Sequence, residues 1–265
     1  MSSLTITTIQ TGVQWEDKSA NLKRLEERIF AIPEPTELVV LPEMFSTGFS
    51  MRPQALAERM DGPTLAWMQE IAARKKIILT GSVIIEEEGN YFNRMIWMLP
   101  NGEYGKYDKR HRFAYAGEDE QYSAGHTRLI ASVKGWRVLL LVCYDLRFPV
   151  WSRQTPQSGA PELEYDLLLY VANWPESRSH AWKTLLQARA IENQCYVAGV
   201  NRIGDDGNKI YHSGDTMVIG PLGEILYSAG ANDEAFTLTL RKEDLARIRQ
   251  RFPFWKDADH FSIEP

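Results

Sequence analysis

This 265-residue chain has few cysteines, no excess of positive charge and no long apolar run. Only two cysteines occur, which argues against a disulfide framework and a cysteine-rich metal site. Lysine and arginine total 30 against 35 aspartates and glutamates, and the net charge of −5 argues against a general nucleic-acid-binding surface. No apolar run reaches the roughly 18 residues of a membrane-spanning helix, and no signal-peptide pattern opens the sequence. We therefore expect a cytoplasmic protein that acts on small molecules, not on nucleic acid or at a membrane.

The motifs of common cofactor sites are also missing. The sequence contains no G-x-x-x-x-G-K-[ST] phosphate loop, no G-x-G-x-x-G turn, no C-x-x-C pair and no H-E-x-x-H helix. The histidines show no metal-ligand spacing, and each is expected to be a surface or hydrogen-bonded side chain. They are His111, His126, His180, His212 and His260. We therefore expect neither a metal ion nor an organic cofactor.

The pattern of apolar residues predicts an α/β protein. Apolar runs rich in β-branched and aromatic residues are expected to form nine strands. They lie at residues 4–10, 37–43, 76–85, 91–100, 136–144, 165–174, 195–203, 215–221 and 234–240. Apolar residues three and four apart predict helices around residues 22–29, 65–72 and 182–190.

These elements predict a layered architecture. Strands that alternate with helices, together with a hairpin at 76–100 turning at Gly89-Asn90, indicate a mixed sheet covered by helices on one face. So much apolar strand surface requires the other face to be buried by a second sheet with its own helices. We expect a four-layer α-β-β-α sandwich of two mixed sheets. No linker, fixed-period repeat or low-complexity tract interrupts the chain, so residues 1–265 are expected to form one domain.

Three residues with reactive side chains follow apolar runs or lie in a basic loop. Glu43 ends a run in LVVLPEMFSTGF, Lys109 lies in YGKYDKRHRF, and Cys143 ends LLLVCYDLRFP. Singly, such residues are more often a solvated carboxylate, an exposed lysine and a small core side chain. Strand ends in α/β sheets line ligand crevices, however, so the three can converge.

Together these residue types meet a chemical need. A neutral thiol is a poor nucleophile and requires a base, which Glu43 supplies for Cys143. Attack on a carbonyl creates an oxyanion, which Lys109 and the backbone N–H of Tyr144 can stabilise. The other cysteine, Cys195, has neither charge nor turn beside it and is expected to pack in the core.

The ordered motifs resemble the nitrilase superfamily, the carbon–nitrogen hydrolases. PEMF, YDKRHRF and VCYDLRFP are similar to the segments that carry the Glu-Lys-Cys triad of that family. The resemblance spans essentially the whole chain, because three further stretches match family patterns: ANWP (172–175), QARAIENQCYVAGVNRIG (187–204) and SGDTMVIGPLGEIL (213–226). The branch most similar to the chain is that of the omega-amidases, which hydrolyse the side-chain amide of 2-oxoglutaramate and 2-oxosuccinamate.

The resemblance implies amide hydrolysis through a cysteine thioester, with release of ammonia and without a cofactor. It also implies a second glutamate in GEDEQYSAG (117–125), either Glu118 or Glu120. Other activities of the superfamily remain open, namely those of a nitrilase, a carbamoylase or another amidase. A thiol enzyme with His180 or His212 as its base and a catalytically silent interaction subunit are the alternatives outside it.

Residues near the motifs are candidates for substrate binding. Phe113, Asn173 and Trp174 lie near predicted strand ends, where they either line the pocket or pack in the core. An omega-amide of a dicarboxylic acid has a free carboxylate, which a guanidinium can hold through two hydrogen bonds. The candidates for that contact are Arg110, Arg112 and Arg178.

The turn after the nucleophile contains Asp145 and Arg147. Both can hold substrate, but a turn in this place must be rigid, so we expect them to form an ion pair that fixes its shape. At the C-terminus, residues 250–265 include RFPFWKDADHF (251–261), with three phenylalanines and a tryptophan. We expect this tail to lie in a homodimer interface, and the alternative is that it folds back over its own domain.

Overall fold

The computed structural model describes residues 2–154, 163–259 and 261–263. The strands in these ranges are β1 Ser3–Gln10, β2 Leu38–Val40, β3 Ile78–Glu87, β4 Asn90–Met98, β5 Tyr104–Asp108, β6 Leu129–Val133, β7 Trp136–Val142, β8 Leu167–Ala172, β9 Tyr196–Asn201, β10 Ile203–Asp205, β11 Tyr211–Ser213, β12 Met217–Ile219, β13 Ile225–Ser228 and β14 Glu234–Arg241. The α-helices are α1 Lys18–Phe30, α2 Pro53–Leu56, α3 Pro63–Lys75, α4 Glu118–Gln121, α5 Pro149–Ser152, α6 Ser179–Asn193 and α7 Lys242–Arg251. Short 3₁₀ helices occupy Ala114–Ala116, Cys143–Arg147, Glu176–Arg178 and Phe254–Asp257.

The strands form two large mixed sheets. The first sheet has the order β14-β1-β2-β3-β4-β5, the second has the order β13-β12-β9-β8-β7-β6, and β10 pairs with β11 alone. Strands β1, β2 and β3 run parallel in the first sheet, as do β7, β8 and β9 in the second. The remaining pairs within the two large sheets are antiparallel. The α/β class predicted from the sequence is confirmed.

Side-chain alternation along the strands explains the layers. Leu38 and Val40 of β2 point into one buried core, which also contains side chains of the second sheet. Val39 lies between them in sequence and points to the opposite face, where it packs with Leu25 of α1 and Met68 of α3. Because β2 is buried on both faces, all three of its residues are apolar.

Helix α6 covers the outer face of the second sheet. A Cβ atom on Gly199 of β9 would lie 2.5 Å from Leu186 and 2.8 Å from Trp182, so only glycine permits this close approach. With α1 and α3 outside the first sheet, the order of layers is helix, sheet, sheet, helix. The four-layer sandwich is therefore confirmed.

The β3–β4 hairpin turns one residue earlier than predicted. Glu87 pairs with Asn90, so the central turn residues are Glu88 and Gly89, at φ 54° and 77°. Two positive φ values define the turn type that matches the twist of a hairpin. The expected turn at Gly89-Asn90 is wrong by one position, because Asn90 already belongs to the ladder.

Within the described ranges, no helix has the length and apolar character to cross a membrane.

Candidate active site

The predicted nucleophile lies at a strained turn. Cys143 follows β7 directly and has φ +43°, a conformation that only a few per cent of non-glycine residues adopt. Asp145, two residues later, accepts hydrogen bonds from the backbone N–H of Val142 at 3.0 Å and the hydroxyl of Tyr107 at 2.7 Å. It also accepts from the backbone N–H of His111 at 3.0 Å. These contacts hold the turn in place, so the thiol projects from the end of the strand.

The expected ion pair between Asp145 and Arg147 is wrong, because each side chain contacts other partners. The Asp145 carboxylate is engaged by Tyr107, His111 and the backbone, as described above. The guanidinium of Arg147 lies instead over the ring of Trp174, 5.0 Å from its centre. The physical reason is direction: Asp145 points back into the sandwich, whereas Arg147 points out towards the cavity described below.

Glu43 and Lys109 meet in the interior. Lys109 Nζ lies 2.9 Å from Glu43 Oε1, and their side chains are 1% and 0% exposed. The other carboxylate oxygen of Glu43 accepts from the backbone N–H of Asn173 at 2.7 Å. The Cys143 thiol lies close enough to Glu43 for the carboxylate to raise the pKa of the thiol. The ends of β2, β5, β7 and β8 thus bring the carboxylate, the ammonium and the thiol into one cluster.

A second carboxylate completes the cluster. Glu118 at the start of α4 contacts Lys109 Nζ through both oxygens, at 2.9 and 2.8 Å. Its Oε2 also accepts from the backbone N–H of Phe113 at 2.5 Å. Of the two glutamates that the sequence left open, Glu118 is fully buried and Glu120 is exposed. The cluster therefore contains Glu118.

Burial and charge fix the resting protonation states. Burial raises the pKa of the Cys143 thiol well above its ordinary value, and the Glu43 carboxylate raises it further. Burial alone would lower the pKa of Lys109, but the carboxylates of Glu118 and Glu43 outweigh it and raise that pKa. Burial raises the pKa of Glu118, while the Lys109 ammonium opposes the rise. The thiol is therefore neutral at rest beside a permanently charged ammonium.

A cavity opens over Cys143. It is lined by Phe49, Met51, Phe113, Ala116, Cys143, Tyr144, Arg147, Asn173, Trp174, Pro175, Arg178, Asp206, Asn208, Ile210 and His212. The predicted substrate-binding residues Phe113, Asn173, Trp174 and Arg178 all lie in this lining. Aromatic walls and a few polar groups are typical of pockets for small organic ligands.

The cationic part of the cavity differs from the expected one. Arg178 lies over the ring of Phe113, 5.1 Å from its centre, and lines the cavity together with Arg147. Arg110 instead lies over Trp151, and Arg112 donates to the backbone carbonyl of Tyr122 at 3.0 Å. Neither of these two belongs to the lining.

Comparison with known proteins identifies the family. The model of the carbon–nitrogen hydrolase family matches residues 5–251. The chain is 44% identical over 264 residues to the omega-amidase YafV of Escherichia coli K12, covering 99% of this chain and 100% of that protein. It is 30% identical to the 2-oxoglutaramate amidase of Bacillus subtilis 168, covering 96% of each. The chain belongs to the carbon–nitrogen hydrolase family.

A solved structure supports the same assignment. XC1258 of Xanthomonas campestris, a member of the superfamily that carries an arsenic adduct in its active site, is 43% identical and covers 100% of both chains with a TM-score of 0.97. The resemblance to the nitrilase superfamily is therefore confirmed, and the protein is a hydrolase that acts on amides.

Two features of this hydrolase's site were missed in the sequence. Asn93 of β4 donates to Glu43 at 2.8 Å and to Glu118 at 3.2 Å. The turn between β10 and β11 adds three residues to the cavity lining: Asp206, Asn208 and Ile210. A lone asparagine within the apolar run at 91–100 was the available signal for the first feature. A short polar hairpin gave no signal for the second.

The histidines are arranged differently from a thiol–imidazole pair. His212 lines the cavity, but its Nδ1 lies 2.9 Å from the carbonyl oxygen of Ile210, and burial together with the charge of Arg202 lowers its pKa to about 4. His180 is exposed, and His260 lies outside the described residues.

Cys195 is fully buried in the core, as expected of a packing residue. Across the described ranges, no group of three or more His, Cys, Asp or Glu side chains is placed to hold a metal ion.

Proposed function

We propose that this carbon–nitrogen hydrolase removes the terminal amide of a dicarboxylic acid monoamide, with 2-oxoglutaramate as the representative substrate. The observation that carries the proposal is that one cavity holds the thiol of Cys143 and the guanidinium groups of Arg147 and Arg178. The thiol attacks an amide at one end of a small molecule, and the guanidinium groups bind a carboxylate at the other end. The named relatives add support from sequence.

The first half of the reaction forms a thioester. Glu43 takes the proton of the Cys143 thiol, and the thiolate attacks the amide carbon. The negative charge that develops on the amide oxygen is stabilised by the Lys109 ammonium and the backbone N–H of Tyr144. Glu43 then gives the proton to the amide nitrogen, the C–N bond breaks, and ammonia leaves.

The second half releases the acid. Water gives a proton to Glu43 as its oxygen attacks the thioester carbon, and the same cation and N–H donor stabilise the second oxyanion. Collapse of this intermediate breaks the C–S bond, and the proton on Glu43 returns to the leaving sulfur of Cys143. One amide and one water become one carboxylic acid and one ammonia, and the enzyme regains its starting state.

Glu118 acts on this chemistry through the lysine. Both of its oxygens contact Lys109 Nζ, so the ammonium is held in one position without taking part in proton transfer. A cation that is fixed before the reaction stabilises a developing charge without a cost of reorganisation. The raised pKa of Lys109 fits this role, because the ammonium stays charged throughout the cycle.

The two cavity arginines supply the carboxylate site. Each guanidinium lies over an aromatic ring, and among the described residues it forms no ion pair or hydrogen bond, so its N–H groups are available to a carboxylate. Asp206 is the acidic residue of the lining, and its Oδ1 accepts from the backbone N–H groups of Asn208 and Ile210 at 2.8 and 2.9 Å. The carboxylate of Asp206 is thus engaged in its own hairpin.

An ammonia-release assay tests the proposal directly. The compounds to compare are 2-oxoglutaramate, glutamine, an aliphatic nitrile and an N-carbamoyl amino acid. We expect the highest kcat/KM for 2-oxoglutaramate, because its anionic end matches the arginines and its amide end reaches the thiol. A higher kcat/KM for the nitrile or the carbamoyl compound would assign the chain to another activity of the superfamily.

We further propose that residues 1–265 act as one domain and assemble into a cytoplasmic homodimer through the C-terminal tail. In the tail, Phe254 is 63% exposed and Phe261 is 40% exposed, which is more apolar surface than an isolated tail normally presents. Both cysteines are free, in keeping with a reducing compartment. Light scattering at micromolar concentration tests the dimer, and the variant Phe254→Ser is expected to weaken it.

A further inference from the structure

Asn93 touches three members of the reactive cluster. It lies in β4, pairs with Ile84 of β3, and is 1% exposed. Its Nδ2 donates to Glu43 Oε1 at 2.8 Å and to Glu118 Oε1 at 3.2 Å. Its backbone carbonyl accepts from the N–H of Lys109 at 3.0 Å. One residue of a central strand therefore joins two carboxylates and the segment that carries the ammonium.

The cluster has a charge imbalance that makes this contact important. Two carboxyl groups, those of Glu43 and Glu118, share a single ammonium, that of Lys109. All three side chains are buried together with Cys143, so the site holds one more acidic group than basic groups. A buried charge is costly unless hydrogen-bond donors replace the water it has lost.

An amide suits this position better than a second cation. A primary amide carries two N–H donors, and each carboxylate takes one of them. A second ammonium would neutralise the cluster. It would also stabilise the ionised form of Glu43 so strongly that the carboxylate would become a poor base. The Oδ1 atom of Asn93 has no hydrogen-bond partner among the described residues, so Nδ2 alone determines how the amide is turned.

We propose that Asn93 is a positioning residue, which shares its two N–H donors between Glu43 and Glu118 and so keeps Glu43 ionised and directed at Cys143. This inference rests on the proposed function, because it assigns Glu43 the role of base. It predicts that Asn93 acts on proton transfer and leaves substrate binding unchanged, because the residue is absent from the cavity lining.

The central test is the pH profile of Asn93→Leu, a change of similar volume that removes both donors. Without these donors the protonated carboxyl form is favoured, so the acid limb of kcat/KM should move to higher pH by about one unit. At neutral pH we expect kcat to fall by about tenfold or more, while KM changes by less than about threefold. An unshifted acid limb, or a loss confined to KM, would overturn the inference.

Two further variants separate positioning from packing. Asn93→Ser leaves a smaller side chain that does not reach the carboxylates, and it should show the same shift of the acid limb. The matched control is Asn193→Leu, which alters a buried asparagine of α6 whose Nδ2 donates to the carbonyl of Arg189 at 3.0 Å. We expect the control to lower the melting temperature and to leave the pH profile unchanged. A shifted profile in the control would show that the effect belongs to general loosening.

A substrate-independent measurement covers the case of very low activity. The rate at which iodoacetamide alkylates Cys143 reports how readily the thiol loses its proton to Glu43. In Asn93→Leu the pH dependence of this rate should move in the same direction as the acid limb, and an unmoved profile would count against the inference.

The failure of this inference is distinguishable from failure of the proposed function. If Cys143→Ala keeps its turnover, the proposed function is wrong whatever Asn93 does. If Cys143→Ala is inactive and Asn93→Leu retains a wild-type pH profile, only the role of Asn93 is wrong.

Discussion

The guanidinium of Arg147 lies 5.0 Å from the centre of the Trp174 ring, and both residues line the cavity over Cys143. The stacking contact turns a residue of the nucleophile turn into part of the substrate site. Under the proposed function, the distance between the thiol and this guanidinium selects for the length of the substrate.

Replacing Arg147 with glutamine should weaken the handling of anionic substrates selectively. The loss of one charged hydrogen-bonding group, about 1.5–3 kcal/mol, corresponds to a fall of roughly 10–100-fold in kcat/KM for 2-oxoglutaramate. A neutral amide such as propionamide should be turned over as by the wild type. Steady-state kinetics with both compounds checks this, and Arg110→Gln outside the cavity is the control. Equal losses on the two substrates would contradict an anion contact.

The two cysteines should differ completely in their effect on turnover. Cys143→Ala removes the nucleophile, so we expect no ammonia release above background while the circular dichroism spectrum stays native. Cys195→Ala removes a sulfur atom from a fully buried core position and should cost about 1 kcal/mol of unfolding free energy with little change in activity. Comparable activity losses in the two variants would remove Cys143 from its assigned role.

Glu43→Gln should abolish acylation. A glutamine of the same shape cannot accept the thiol proton, so kcat should fall by about 10²–10⁴-fold. Its amide group must also face N–H donors on both sides, from Lys109 and Asn93 and from the backbone of Asn173, which adds a loss of stability. Mass spectrometry after rapid quenching measures the thioester directly. Fast appearance of that adduct in the variant would show that another group acts as the base. The control is Glu120→Gln, which changes an exposed glutamate outside the cluster.

His212 should make the fold sensitive to mild acid. Burial lowers its pKa to about 4 in the folded protein, whereas an unfolded histidine binds a proton near pH 6.5. The unfolded state therefore binds more protons between these values, so stability decreases as the pH falls through this window. Between pH 7 and pH 5 the loss from this residue should be about 2 kcal/mol. Urea unfolding of the wild type and His212→Gln at both pH values tests this, since the variant should lose about 2 kcal/mol less. An equal loss in both proteins would assign the acid sensitivity to other groups.

All of the central strands were predictable from the sequence, whereas of the four edge strands in the two large sheets only β14 was predicted. Each of the nine predicted runs contains a strand of the structure. The missed strands are β5, β6 and β13 at sheet edges, together with the small β10–β11 pair. An edge strand is buried less completely than a central one, so its sequence lacks a continuous apolar run; YGKYD of β5 is the clearest case.

The site was predictable only where its chemistry lies in contiguous motifs. Glu43, Lys109 and Cys143 each stand within a short ordered motif, and the structure brings all three together. Asn93 reaches the cluster through the register of β4 against its neighbours; a lone asparagine in an apolar run marks the residue but does not specify that register. The same limit applies to Arg147, because stacking on Trp174 depends on the relative positions of two loops that are separated in the chain.

The hydrogen bond between Tyr107 and Asp145 joins the two halves of the sandwich. Tyr107 belongs to β5 of the first sheet, whereas Asp145 follows β7 of the second. Glu43 and Lys109 come from the first sheet and Cys143 from the second, so neither sheet alone contains the whole of the proposed reaction centre. Under the proposed function, catalytic competence is a property of the interface between the sheets: it arises when they dock during folding and is lost when they separate. A fragment that ended before β7 would retain Glu43 and Lys109 but would lack Cys143.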